Sequence, residues 1–293
     1  MNDQKLCLIT ICLNEMQWLP DLYSQHKDWP GLERWAFVEA ADEVYETTNP
    51  HLVSPTGLSV DGTSQFLDRL ASQDDRVKVC HLGRVGHRDK ANGKVLMKQK
   101  ALELVQDVRP DFVFALDADE FYTVRDQERV FLSMSKAPDY QCYILPRREI
   151  WHPPSLVGVS PLFGLEVVGG FWGIPCCHWW RWCKGMHFGD CHNTPSFPDG
   201  RPFNDRLKDL RTAAGVPHMI HMGFASVGAT RKAKNRYYAD RGEANDKQRS
   251  WYVESRAAWE DWTPGTDLPH GAKVVPYDGP VPECFAGTKG MVP

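Results

Sequence analysis

Nowhere in this 293-residue chain do about eighteen apolar residues run together, so no stretch reads as a membrane-spanning helix. A basic leader is also missing. Met1-Asn2-Asp3-Gln4-Lys5 precedes the apolar run Leu6 to Leu13, and Asn14-Glu15 stands where a small-residue cleavage site would follow, so the run is read as a strand and not a signal peptide. There is no basic excess: the net charge is −4, and contact with nucleic acid would need a local patch. The nine cysteines are an odd number without a secretory signal, which sets the expectation of a reducing compartment, mostly free thiols and a cytoplasmic location. No internal repeat or low-complexity block is present. What remains, 42% hydrophobic and 25% charged, is the composition of a globular protein.

One stretch organises the rest. Pro110-Asp111-Phe112-Val113-Phe114-Ala115-Leu116 runs straight into Asp117-Ala118-Asp119-Glu120-Phe121, an apolar strand ending in three carboxylates. Such a run reads as a buried strand of a parallel sheet, and open α/β sheets hold their ligands at the carboxyl ends of such strands. Crowding Asp117, Asp119 and Glu120 is unfavourable unless a cation or a set of donors absorbs the charge. In an extended chain Asp117 and Asp119 would share a side, a suitable pair for one hard divalent ion.

Around this stretch, strands are expected at Lys5 to Leu13, Arg34 to Ala40 and Val77 to Leu82, with helices from Trp18, over Gln65 to Leu70, and over Lys94 to Val108. Alternation of this kind predicts a doubly wound α/β unit. Beyond it the pattern changes: a strand over Cys142 to Pro146, a loop-rich region holding five of the eleven tryptophans between Trp151 and Phe188, a short strand over Val216 to Met222, surface helices over Thr230 to Asp240 and Trp251 to Trp262, and a proline-rich tail.

Four segments carry a resemblance: Ile11-Cys12-Leu13-Asn14-Glu15, Phe37-Val38-Glu39-Ala40-Ala41-Asp42, Asp61-Gly62-Thr63-Ser64 and Leu116-Asp117-Ala118-Asp119-Glu120-Phe121. In this order, over about the first 125 residues, they resemble the nucleotide-sugar half of GT-A-type, family 2-like glycosyltransferases. The resemblance implies a GT-A (Rossmann-like) mixed α/β sheet flanked by helices, with a loop-rich aromatic acceptor half. The divisions it suggests are 1–125 for the nucleotide-sugar half, 126–225 for the acceptor half and 226–293 for C-terminal helices and tail. It implies Asn14, Glu15 and Glu39 as donor contacts, with Glu39 on the base or ribose, Asp119 as a direct ligand of Mn²⁺ or Mg²⁺, and Asp117 on the ribose or the metal. Many inverting members carry Asp-Asp-Gly-Ser directly after the second strand, whereas Asp61-Gly62 lies about twenty residues further on here. Later in the chain His221-Met222-Gly223, Lys234, Tyr237-Tyr238 and Arg241-Gly242 resemble the family's His-x-Gly and basic helix, implying His221 as a third metal ligand and Lys234 beside the diphosphate.

Physical chemistry adds its own candidates. A nucleotide-diphosphate leaving group needs its charge neutralised, and Lys94 and Lys98 share a helix face four residues apart, from which Lys98 is assigned to the phosphates. A solvated helix face is the plainer alternative. An imidazole joining carboxylates suits Mn²⁺ better than Mg²⁺. An inverting enzyme needs a base near the acceptor hydroxyl; Asp190, Glu149 and Glu166 lie in the acceptor half, with Asp190 the first choice. Cys176, Cys177, His178, Cys183, His187, Cys191 and His192 lack the paired C-x₂₋₄-C spacing of a structural zinc site and read as buried thiols.

The function expected is transfer of a sugar from a nucleotide-diphosphate donor, with UDP favoured because an ionised Glu39 accepts from uracil N3–H, to a hydroxyl of a glycan. Arg147, Arg148, Arg181 and Lys184 interleave with Trp151, Trp179, Trp180 and Trp182 in a pattern of cations and stacking faces. That makes a phage-type DNA glycosyltransferase acting on hydroxymethylated pyrimidines the alternative acceptor reading. A nucleotidyltransferase would place a glycine-rich basic loop after the first strand, where Leu13-Asn14-Glu15-Met16 stands instead. A carbohydrate-binding module built on the tryptophans leaves the strand-end acids without a role.

Overall fold

A computed structural model describes residues 4–86, 93–152, 164–168, 178–189, 194–211, 214–225, 233, 258 and 261–288. The chain opens β1 (Leu6–Cys12), α1 (Leu19–His26), β2 (Leu32–Asp42), α2 (Glu43–Thr48), α3 (Thr63–Gln73), β3 (Val77–Val85), α4 (Gly93–Val105) and β4 (Phe112–Ala115). It continues β5 (Glu120–Phe121), α5 (Val124–Ser135), β6 (Cys142–Ile144), β7 (Arg147–Trp151), β8 (Leu165–Val168), β9 (Trp179–Arg181), β10 (Leu207–Asp209), β11 (Met219–Phe224) and β12 (Lys273–Pro276).

These strands form two sheets. The first has the order β10-β6-β9-β4-β1-β2-β3 and the second β12-β8-β7-β11-β5. In the first, β3, β2, β1 and β4 are parallel, while β9 runs antiparallel to both β4 and β6. This is a mixed sheet flanked by helices. The halves expected at 1–125 and 126–225 share both sheets, since β6, β9 and β10 extend the first and β5 joins the second.

Strand alternation divides the core between the two faces of the first sheet. Leu6, Leu8, Trp35, Phe37, Phe112, Phe114 and Trp179 pack with α1, α3 and α5 through Leu19, Leu22, Leu67, Leu70, Val130, Phe131 and Met134. The alternate residues Cys7, Ile9, Ala36, Val38, Val113, Ala115 and Trp180 pack against α4 through Val95, Ala101, Leu102 and Val105. All four residues of β4 are buried, as a strand covered on both faces must be. Each large side chain buried in this way contributes roughly 1.5–3 kcal/mol.

The tryptophans correct one expectation. Trp179 and Trp180 are core residues on opposite faces of β9, and Trp179 stacks on Phe114 at 4.0 Å between ring centroids. Trp151 is equally buried, against Phe224 and Trp262. None of the three offers a free face to a sugar or a base. The interleaved arginines are engaged too: Arg147 with Glu149, Arg148 with Glu166 and Asp278, and Arg181 over the Phe112 ring. These six residues of the cation-and-aromatic pattern pack within the protein, whereas Lys184 is exposed and Trp182 half-buried.

Candidate active site

Three chain crossings from the first sheet to the second supply the site. The first leaves β4 and turns into β5. Glu120 donates its backbone N–H to the Asp117 carbonyl at 3.0 Å, and the Glu120 Oε2 accepts the Asp117 N–H at 3.0 Å. The sequence suggested an extended Asp-x-Asp with both carboxylates on one side, but a turn closed at both ends replaces it. Asp117 and Asp119 consequently reach different partners.

Asp119 faces the second sheet. Its Oδ1 lies 3.6 Å from His221 Nε2, too long for a hydrogen bond and short enough for one ion to touch both. His221 lies opposite Glu120 on one side and Glu149 on the other in the ladders of β5, β11 and β7, so the three register positions form a row across the sheet. The His221 Nδ1 is 2.5 Å from Glu149 Oε2, and the other oxygen of Glu149 receives Arg147 Nε at 2.7 Å. Burial lowers the affinity of His221 for a proton, but Glu149 and Asp119 outweigh it and raise its pKa. Burial likewise pushes Glu149 up, and Arg147 and His221 bring it below its ordinary value.

Gly223 explains the His-x-Gly pattern. Two residues along a strand it shares the face of His221, and a Cβ there would lie 2.2 Å from the imidazole Cε1. The ring lies over this glycine.

Asp117 faces α4. Burial raises its pKa, yet Lys98, His178 and Lys94 more than offset that and leave the carboxyl below its ordinary range. Lys98 is 2% exposed, so its side of α4 is not a solvated face. Glu120, fully buried, accepts from His178 Nδ1 at 3.2 Å. Asp117, Glu120 and His178 together place three possible ligand atoms within 4.8 Å of one another. The sequence marked His178 only as one of several possible zinc ligands. Its pairing with Glu120, across 58 residues, depends on where β9 enters the sheet.

The residues that follow β1 are held by a set of hydrogen bonds. Asn14, at φ 55°, accepts from Val60 N–H at 2.9 Å and donates to the Leu52 carbonyl at 2.6 Å. Glu15 donates its N–H to Thr63 Oγ1 at 3.1 Å and its carbonyl starts α1 through Trp18 and Leu19. Asp61 receives Met16 N–H at 3.0 Å. These bonds tie the loop after β1 to residues 52–63.

Glu39 lies beside the same loop. It is fully buried, with Oε1 accepting from Ser59 N–H at 2.9 Å and Ser64 Oγ at 2.8 Å, and Oε2 facing His81 Nδ1 at 2.6 Å. Both oxygens are used in holding β2 to the same loop and to β3. Asp190 and Lys234 lie outside the described residues, as do Cys176, Cys177, Cys191 and His192. No helix among the described residues is long and apolar enough to cross a membrane.

No family model and no curated protein matches this chain. Among solved structures it is similar to TarS of S. aureus, residues 1–349 in complex with UDP-GlcNAc, with 11% identity and a TM-score of 0.43 over 87% of this chain and 73% of that one. A longer TarS chain is covered for 43% of its length. It is also similar to the mannosyltransferase PcManGT from Pyrobaculum calidifontis in complex with GDP-Man and Mn²⁺, with 17% identity and a TM-score of 0.31 over 49% of this chain and 36% of that one. A third is 4-diphosphocytidyl-2C-methyl-D-erythritol synthase from Anaerococcus prevotii, with 10% identity and a TM-score of 0.32 over 50% and 56%.

Proposed function

We propose that this chain is a metal-dependent glycosyltransferase that moves a sugar from a nucleotide-diphosphate donor, a UDP-sugar, to a hydroxyl of a glycan. The observation that carries the reading is the convergence of Asp119 Oδ1 and His221 Nε2, 3.6 Å apart, at the carboxyl end of the central strand. A carboxylate oxygen and an imidazole nitrogen facing each other across that gap are a donor pair for Mn²⁺. The glycine under the imidazole and the carboxylate behind it fix the ring in place. The residues therefore fit the ion.

When bound, the divalent ion neutralises charge on the diphosphate as the glycosidic bond breaks. Asp119 and His221 would hold it. Lys98, buried and acting on Asp117 from α4, would supply a second positive charge for the phosphates. Asp117 stays ionised through its lysine neighbours and accepts from a ribose hydroxyl. Transfer forms a bond from the acceptor oxygen to the anomeric carbon, breaks the bond to the diphosphate oxygen, and sends the hydroxyl proton to a base. Asp190 keeps that assignment from the sequence. UDP keeps first place among donors from the sequence reading, in which Glu39 accepts from uracil N3–H; in the structure its oxygens also accept from Ser59 and Ser64 and face His81.

Calorimetry of UDP binding with and without Mn²⁺, on the native chain and on Asp119→Ala, tests the reading. Mn²⁺-dependent binding that the substitution abolishes, together with a sugar mass added to a glycan from a UDP-sugar panel, is the expected result. Binding indifferent to both metal and substitution would refute it.

A further inference from the structure

We propose that Glu149 is a positioning residue that orients His221 toward Asp119 and so sets the metal-binding geometry, an inference that rests on the metal-dependent reading above. The sequence offered Glu149 as a catalytic base. Its environment suits a different task. It is 3% exposed, and its two oxygens are taken by His221 Nδ1 at 2.5 Å and Arg147 Nε at 2.7 Å. A base must have an oxygen within reach of the acceptor hydroxyl, and both of these point into protein partners.

What the arrangement does follows from the chemistry of imidazole. A histidine that ligates a metal through one nitrogen needs its other N–H held, which fixes the tautomer and the plane of the ring. Glu149 accepts from Nδ1, so Nε2 is the nitrogen presented toward Asp119. Parallel pairing of β7 with β11 places residue 149 beside residue 221, and Arg147 fixes the far oxygen so that the carboxylate cannot swing away. Gly223 leaves the ring free to lie over the strand in this orientation. Rotating the ring would face Nδ1 to the metal and leave Glu149 without its partner, a costly exchange in a buried position.

The test titrates Mn²⁺ into the full chain with UDP present, reading affinity by electron paramagnetic resonance and histidine ligation by the nitrogen-14 modulation of the Mn²⁺ echo. Glu149→Ala should raise the Mn²⁺ dissociation constant by about 10–100-fold, the usual cost of removing such a partner, and weaken the nitrogen modulation. Glu149→Gln, which keeps an acceptor oxygen, should retain the modulation and lose less affinity. Native affinity and full modulation in Glu149→Ala would overturn the proposal. Should that variant fail to fold, Glu149→Asp decides, because it keeps the charge and withdraws the acceptor from Nδ1; unchanged binding there has the same force. The metal reading fails separately. Absence of Mn²⁺ binding by the native chain, or no effect of His221→Ala, would remove both, whereas an effect of His221→Ala without one from Glu149→Ala would remove this inference alone.

Discussion

The backbone N–H of Tyr122 donates to Nε2 of His26 at 3.1 Å, while His26 Nδ1 faces the Leu22 carbonyl at 2.9 Å. This fixes a neutral imidazole with its proton on Nδ1, stacked on Trp29 and fully buried between α1 and the strand that carries Glu120. A proton on Nε2 would meet another N–H. Burial accordingly lowers the His26 pKa from 6.5 to about 4, against the opposing pull of the Leu22 carbonyl and Glu283.

Stability should therefore fall in mild acid. The unfolded state takes up a proton near pH 6.5 and the folded state only near 4, so the contribution of His26 is whole above 6.5 and lost progressively between these values. The loss is on the order of 3 kcal/mol. Urea midpoints for the native chain and His26→Gln at pH 7 and pH 4.5 check this: the native chain should drop further. An imidazole that titrates near 6.5 by NMR would contradict it.

Gly223→Ala should behave as a binding mutation. The new Cβ falls 2.2 Å from the His221 ring and must expel it from the Glu149 contact. Mn²⁺ affinity should fall to that of His221→Ala, with an unfolding midpoint close to native. Retained affinity would mean that the ring has another resting place.

At Gly93 two effects compete. Alanine is favoured over glycine in a helix by roughly 1 kcal/mol. However, a Cβ here would lie 2.3 Å from Asp42 Oδ2, which now accepts the Gly93 N–H at 2.8 Å. Loss of a buried charge-assisted bond costs about 1.5–3 kcal/mol. Gly93→Ala should therefore destabilise, and a midpoint above native would show that Asp42 can move aside.

Lys98→Met removes a buried charge and keeps the length of the stem. Under the proposed function UDP binding in Mn²⁺ should weaken by tenfold or more, as expected for loss of a charge-assisted bond worth roughly 1.5–3 kcal/mol. Heat stability should fall as well, since Asp117 loses a compensating charge in a buried position. Unchanged UDP affinity would reduce Lys98 to a structural partner of Asp117.

The parallel strands and α4 were legible from composition: β1, β2 and β4 are near-continuous apolar runs, and α4 opens on a glycine. The strand-end acids and the His-x-Gly were legible as types of residue. Their partners were not. Glu149 and His221 meet across 72 residues because β7 and β11 are neighbours, an order that no local pattern states. β9, of three residues, is too short to alternate visibly and exists through its ladders with β4 and β6. α5 carries its own signal: Thr123 accepts from Asp126 N–H at its start, and Val130, Phe131 and Met134 repeat at helical spacing.

Each site carboxylate or imidazole follows a passage between sheets: Asp117 and Asp119 after β4, Glu149 after β6, His221 after β10. The ligand geometry is thus a property of the seam, set by how one twisted surface is mounted on another. A volume change deep in either sheet, far from every polar group, would tilt that mounting by fractions of an ångström. Under the proposed function, metal binding should be a more sensitive gauge of core packing than the melting temperature.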